Sequence, residues 1–112
     1  MSGQALKGHL DLLLLAVVSD GAKHGYVIIN ELRDRSDDEF DLPEGTVYPA
    51  LHRLQKGGFL SSEWTVVQGR RRRTYRLTDK GRGALGDHRK AWLAFSNAIG
   101  NVLKGVPWPH TP

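Results

Sequence analysis

The chain has 112 residues, 39% hydrophobic and 25% charged, with no cysteine. That length supports one domain with a modest core, and the composition excludes disulfides, thiolate metal sites and a cysteine nucleophile. The net charge of +4 is unevenly spread: residues 1–44 carry four Lys/Arg against nine Asp/Glu, or −5, and residues 45–112 carry twelve against three, or +9. A basic second half points to a polyanionic partner.

A first helix is expected over Ala5–Ser19, where Leu6, Leu10, Leu13, Leu14 and Val17 recur at helical spacing and Leu12, Leu15, Ala16 and Val18 fill much of the remaining circumference. A helix apolar nearly all round is buried on more than one side. A second copy of the chain would supply that cover, which makes Leu10 and Leu14 candidate dimer contacts. The apolar run Leu12–Val18 is too short to cross a bilayer, and the basic start and cleavage site of a signal peptide are missing. No membrane partner is expected, and the cytoplasm is the default compartment. Gly21 suits the end of this helix.

A second helix is expected over His24–Arg35, with Gly25, Ile28, Ile29 and Leu32 inward. The loop after it holds Asp37, Asp38, Glu39, Asp41 and Glu44. These carboxylates lack calcium-loop spacing and have no histidine beside them. Placed ahead of a helix, they favour its dipole instead, so no metal or other cofactor is expected.

The third helix is expected over Glu44–Lys56. Val47, Ala50, Leu51 and Leu54 share one face at 100° per residue. Gly45, Pro49, His52, Arg53 and Lys56 share the opposite one, with Thr46 and Tyr48 at its flanks. Gly57-Gly58 ends the helix. Two strands follow, Phe59–Val67 and Arg73–Thr78, turning around Gln68-Gly69, with Arg70, Arg71, Arg72 and Arg73 at the tip of the hairpin. Thr78 is a plausible N-cap for a last helix reaching about Lys104. Along it Leu85, His88, Trp92, Phe95, Ile99 and Val102 repeat in steps of three and four, the seam of a coiled-coil-like pairing. The proline-rich end from Gly105 is expected to be irregular.

This order of elements gives a mainly α fold with a small β-hairpin: a winged helix-turn-helix over residues 1–77, a C-terminal dimerisation helix over 78–104 and a tail over 105–112. In such a fold the third helix enters the major groove and the wing lies on the backbone or minor groove. Double-stranded DNA is therefore the expected partner, met by Tyr48, His52, Arg53 and Lys56 on the helix and by Arg70–Arg73 on the wing. A winged helix that binds RNA or another protein is the alternative, but a dimer seam suits duplex DNA with two half-sites. Catalysis is not expected. The five histidines are scattered over different elements, no His-x-x-x-His or Glu-x-x-His pattern occurs, and Ser61 and Ser62 have no evident base.

The segments GTVYPALHRLQKGGFL and GRRRRTYRLTDKG, with HGY at His24–Tyr26, resemble the PadR family of bacterial transcription regulators. The resemblance covers roughly Leu6–Leu103, and the single C-terminal helix is similar to the short-tailed subfamily. It implies a homodimer joined through its first and last helices that represses transcription and is released by a small effector. By this resemblance Thr46, Tyr48 and Pro49 match the DNA-facing start of the recognition helix, Tyr26 falls at the start of the second helix, and Gly69 with the arginines after it matches the wing. Trp92 matches a tryptophan that drug-sensing short-tailed members stack against flat ligands; its plainer role is to bury apolar area between the two chains of the seam, and the alternative is a cavity between Trp92 and its symmetry mate that admits a small aromatic effector. Ser96 stands nearby, where such members carry an acidic residue.

Overall fold

The structure of the chain, a computed structural model, describes Leu6 and residues 8–107. Trp108 and the rest of the expected tail lie outside the described residues. The elements in order are α1 (Leu10–Val17), β1 (Lys23–His24), α2 (Gly25–Arg35), α3 (Glu44–Lys56), β2 (Leu60–Val67), β3 (Arg70–Leu77) and α4 (Asp79–Leu103). The three strands form one antiparallel sheet in the order β1-β3-β2. Winged helix-turn-helix and long last helix are both present as the sequence leads one to expect.

One core holds the domain together. Leu14, Leu15, Val17 and Val18 from the first helical segment meet Ile28 and Leu32 of α2, Val47, Ala50, Leu51 and Leu54 of α3, and Leu60, Tyr75 and Leu77 of the sheet. The four α3 residues are those predicted to share a face, and α2 buries Gly25, Ile28 and Leu32. The end of α3 shows why Gly57-Gly58 stops a helix. Gly58 adopts φ +84°, the Gly58 N–H donates to the Gln55 carbonyl at 3.0 Å, and the Phe59 N–H donates to the Leu54 carbonyl at 2.9 Å. These two bonds make a Schellman cap, whose left-handed residue favours glycine.

The structure departs from the sequence reading in five places. The first helix does not run unbroken from Ala5: Gly8 sits at φ +90°, outside helical geometry, and regular helix starts at Leu10. Leu14, expected at a dimer seam, is fully buried in the chain's own core, which leaves it no surface for a second chain. Leu10 is half-buried against that same core. His24 precedes α2 rather than beginning it, and with Lys23 forms a short third strand on β3, pairing Lys23 with Tyr75 and His24 with Thr74. Finally, the turn is at Gln68-Gly69 as expected, but the strand after it starts at Arg70 rather than Arg73. Gln68 and Gly69 alone form the turn, with φ of +50° and +75°, the left-handed pair that a two-residue type I′ hairpin demands. Arg70–Arg73 are therefore the first half of β3, paired with Val67, Val66, Thr65 and Trp64 in turn.

α4 is fixed at its start. The Thr78 hydroxyl accepts from the Gly81 N–H at 3.0 Å and donates to the Gly58 carbonyl at 2.6 Å, so one side chain caps α4 and ties it to the end of α3. Lys80 donates to the Gly57 carbonyl at 2.7 Å. Gly81 lies so close to β2 that a Cβ there would collide with the Phe59 carbonyl and the Leu77 side chain, whereas a Cβ on Gly83 would meet nothing within 4 Å. Gly81→Ala is therefore expected to destabilise the fold by about 1–3 kcal/mol through overpacking. Gly83→Ala on the same helix is expected to stabilise it by about 0.5–1 kcal/mol through helix propensity. Urea denaturation of the two variants measures both.

Candidate nucleic-acid interface

The exposed side of α3 and the charged end of the sheet lie next to each other. On α3, Pro49, His52 and Lys56 are exposed, while Thr46 and Tyr48 are half-buried at the flank. Tyr48 leans on α2: a Cβ on Gly25 would run into its ring, so the glycine is what lets α2 and α3 approach here. Burial holds the Tyr48 phenol above its usual range, with the nearby Glu44 carboxylate adding to the effect and Arg72 opposing it. At neutral pH the hydroxyl is a proton donor.

Beside Tyr48 stand the wing arginines. A concave notch of about 260 Å³ is lined by His24, Gly25, Tyr26, Tyr48, Trp64, Arg71, Arg72, Arg73 and Tyr75. The Arg72 guanidinium lies 4.9 Å from the centre of the Tyr26 ring, and Tyr26 stacks on His24 with centroids 5.7 Å apart. His24 in turn bonds through Nδ1 to the Thr74 hydroxyl at 3.0 Å. Arg71 and Arg73 lie over Trp64. Among the described residues, the arginines in ion pairs are Arg33, Arg35, Arg53 and Arg76. None of Arg70–Arg73 is within ion-pair distance of a carboxylate.

Arg53 is placed differently from its sequence expectation. Instead of being free for base edges, its guanidinium grips Asp11 of α1 in a two-pronged pair at 2.9 and 3.0 Å. The hydrogen bonds to Asp11 raise the Arg53 guanidinium further above its ordinary range. It ties α3 to α1 across a surface position, where such pairs contribute roughly 0.2–1 kcal/mol.

The predicted seam residues on α4 occupy a separate region. Leu85 packs against the core, but from Gly86 onward every residue of the helix is exposed. Trp92, Phe95, Ile99 and Val102 are 41%, 54%, 43% and 80% exposed respectively, an apolar row that this chain covers only in part. Ser96 is exposed beside them. A cleft of about 450 Å³ between this row and the first helical segment is lined by Leu6, His9, Leu12, Leu13, Phe40, Trp92 and Phe95. His9 meets Trp92 edge-on at 5.2 Å.

Sequence reasoning missed Trp64, His24 and Thr74 in the wing region and Asp11 opposite Arg53. The register of the sheet brings the first three together, and no local pattern announces it. The raised phenols give a measurable consequence. Tyr75, like Tyr48, is pushed above the usual 10.0 by burial. Above that pH the unfolded chain releases these protons before the folded one does, so the native state holds more protons and stability falls as pH rises. Urea midpoints between neutral pH and pH about 11 are expected to drop more steeply for the parent than for a Tyr48→Phe/Tyr75→Phe variant.

Comparison with known proteins places this geometry. A family model described as the transcriptional regulator PadR-like family matches residues 14–87. The transcriptional regulator Rv3488 of Mycobacterium tuberculosis is 44% identical over 80 residues, covering 71% of this chain and 72% of that protein. A solved transcriptional regulator from Clostridium thermocellum superposes with a TM-score of 0.84 at 27% identity, covering 93% of this chain and 99% of the other. A PadR family transcription regulator from Clostridium difficile R20291 superposes at 0.77 with 30% identity, covering 86% and 99%. The match takes in α2, α3, the whole sheet and the start of α4, the elements that build the notch. This chain belongs to the PadR-like family of transcriptional regulators, DNA-binding proteins rather than enzymes.

Proposed function

We propose that this chain acts in the cytoplasm as a repressor, binding a pseudo-palindromic operator as a homodimer and leaving it when a flat aromatic effector binds. The observation that carries the DNA-facing part is the run of unneutralised arginines on β3 beside the exposed side of α3. Guanidinium forks match phosphate geometry, and the local excess of positive charge drives counterion release on binding. Arg70–Arg73, with Tyr26 and Tyr48, meet the backbone. Thr46, Pro49, His52 and Lys56 face the groove, while Arg53, exposed on the same helix, is held by Asp11 of α1.

In this reading the chain divides at Thr78. Residues up to 77 form the DNA-binding unit and 78–104 the dimerisation helix. The partly covered row Trp92, Phe95, Ile99, Val102 supports pairing with a second copy, because an apolar stripe of that length is costly to leave in water. Leu85 precedes the row on the same helix, at its core-facing end. A two-fold dimer would present two α3 helices to successive major grooves. The apolar cleft between Trp92 and the first helical segment supports an aromatic ligand, with Ser96 nearby and small enough to leave space. Such a ligand releases DNA only by binding more tightly to a dimer whose α3 spacing misfits the operator.

Two experiments test this. Ile99→Asp puts a charge into the seam, where desolvating an unpaired carboxylate costs several kcal/mol. Sedimentation is expected to show a dimeric parent and a monomeric variant, with operator binding lost in the variant. A monomeric parent at micromolar concentration would contradict the dimer. Arg70→Ala with Arg72→Ala is expected to weaken binding to every sequence and to lower the slope of log affinity against log salt by about one to two. An unchanged slope would leave these arginines as plain solvated surface.

A further inference from the structure

Trp64 is the feature that neither the core nor the recognition helix explains. It stands on β2 with 53% of its surface exposed, beyond the end of the core, where a large ring is normally a liability. The cations around it give it a use. Arg73 is its direct cross-strand partner on β3, and Arg71 is the diagonal one. Their guanidinium carbons lie 5.0 and 4.6 Å from the centre of the indole. Arg73 is held further: its Nε donates to the Ser62 hydroxyl at 2.8 Å, which donates to Gln55 Oε1 of α3 at 2.8 Å. One ladder therefore runs from α3 through Ser62 and Arg73 to the indole and Arg71.

We infer that Trp64 is a positioning residue for DNA binding, holding Arg71 and Arg73 in the geometry in which the wing meets phosphate. The inference rests on the DNA-binding reading above and deepens it. An arginine can be ordered in two ways. A carboxylate orders it but neutralises its charge and occupies its N–H donors, as Glu63 does for Arg76 at 3.7 Å and Asp11 for Arg53. An aromatic face orders it through the ring quadrupole and leaves the charge and the N–H edge free for an anion. Among the described residues, the arginines set on rings are Arg71, Arg72 and Arg73 of the wing. Ordering before binding removes rotamer entropy that phosphate contact would otherwise have to overcome.

The test is equilibrium binding of the full chain to a fluorescently labelled DNA duplex of arbitrary sequence, since phosphate contacts do not depend on sequence. Trp64→Leu is expected to weaken binding roughly five- to thirtyfold, the scale of two exposed cation–π contacts. Because the number of phosphate contacts is the same, the salt slope stays that of the parent. Trp64→Phe, which keeps a ring, is expected to retain most of the affinity. In an Arg71→Ala/Arg73→Ala background, Trp64→Leu is expected to add no further loss, the mark of a residue acting through those two. The urea midpoint of each variant confirms that it is folded. A Trp64→Leu variant that binds like the parent overturns the positioning role, and so does a loss that persists undiminished without the arginines, since the ring would then touch DNA itself. If Arg71→Ala/Arg73→Ala binds as well as the parent, the DNA-binding reading of the wing fails, and this inference with it.

Discussion

The structure depends on β3 being paired along both edges. At its C-terminal end, Tyr75 and Leu77 are buried among the helices. At its N-terminal end, four arginines extend past the core along β2. A strand with one half in the core and the other in solvent would not hold a fixed direction alone, because a two-stranded ribbon is marginal in water. The short β1 supplies the third strand at the point where core gives way to charge, pairing with Thr74 and Tyr75. Since β1 leads directly into α2, this pairing also sets α2, and with it α3, relative to the wing. Thr78, one residue past β3, then caps α4. Wing, recognition helix and long helix are thus all referenced to a single strand.

Charge is sorted by how it is compensated. Arg53 and Arg76 face carboxylates, while Arg71, Arg72 and Arg73 face aromatic rings and keep their full positive charge. The first helical segment has the corresponding position among apolar groups. Leu14, Leu15 and Val17 go into the core, Asp11 grips Arg53 of α3, and Leu12 and Leu13 line the cleft beside Trp92. The Asp11–Arg53 ion pair and the shared core thus join α1 directly to α3.

Much of this was legible in the sequence because the relevant patterns are local. α3 has the bounds that Glu44, its apolar spacing and Gly57-Gly58 imply, and α4 begins at the cap that Thr78 implies. What was not legible is non-local. β1 is two residues long, too short to carry an alternation, and exists only because β3 lies beside it. The turn at Gln68-Gly69 is legible, but a run of like charges carries no alternation, so Arg70–Arg72 do not read as strand although they pair with Val67, Val66 and Thr65. Asp11 and Arg53 are 42 positions apart, and nothing in either neighbourhood announces the pair. In α1, an apolar circumference suggests a second chain, but residues of three other elements consume most of it. The burial of Leu14 could be separated from that of Leu10 only once α2, α3 and the sheet were in place.

In the proposed complex, two copies of α3 read duplex DNA while the β3 arginines hold the flanking backbone. Hydroxyl-radical footprinting on a DNA site selected by the protein from random sequence tests it most directly. The predicted result is a selected site with two inverted, similar halves, each protected, centred about one helical turn of roughly 10–10.5 base pairs or a multiple of it apart. Backbone protection should extend beyond the bases fixed by selection, where the wings lie. Recovery of no preferred sequence, or of a single asymmetric site with one protected patch, would contradict it.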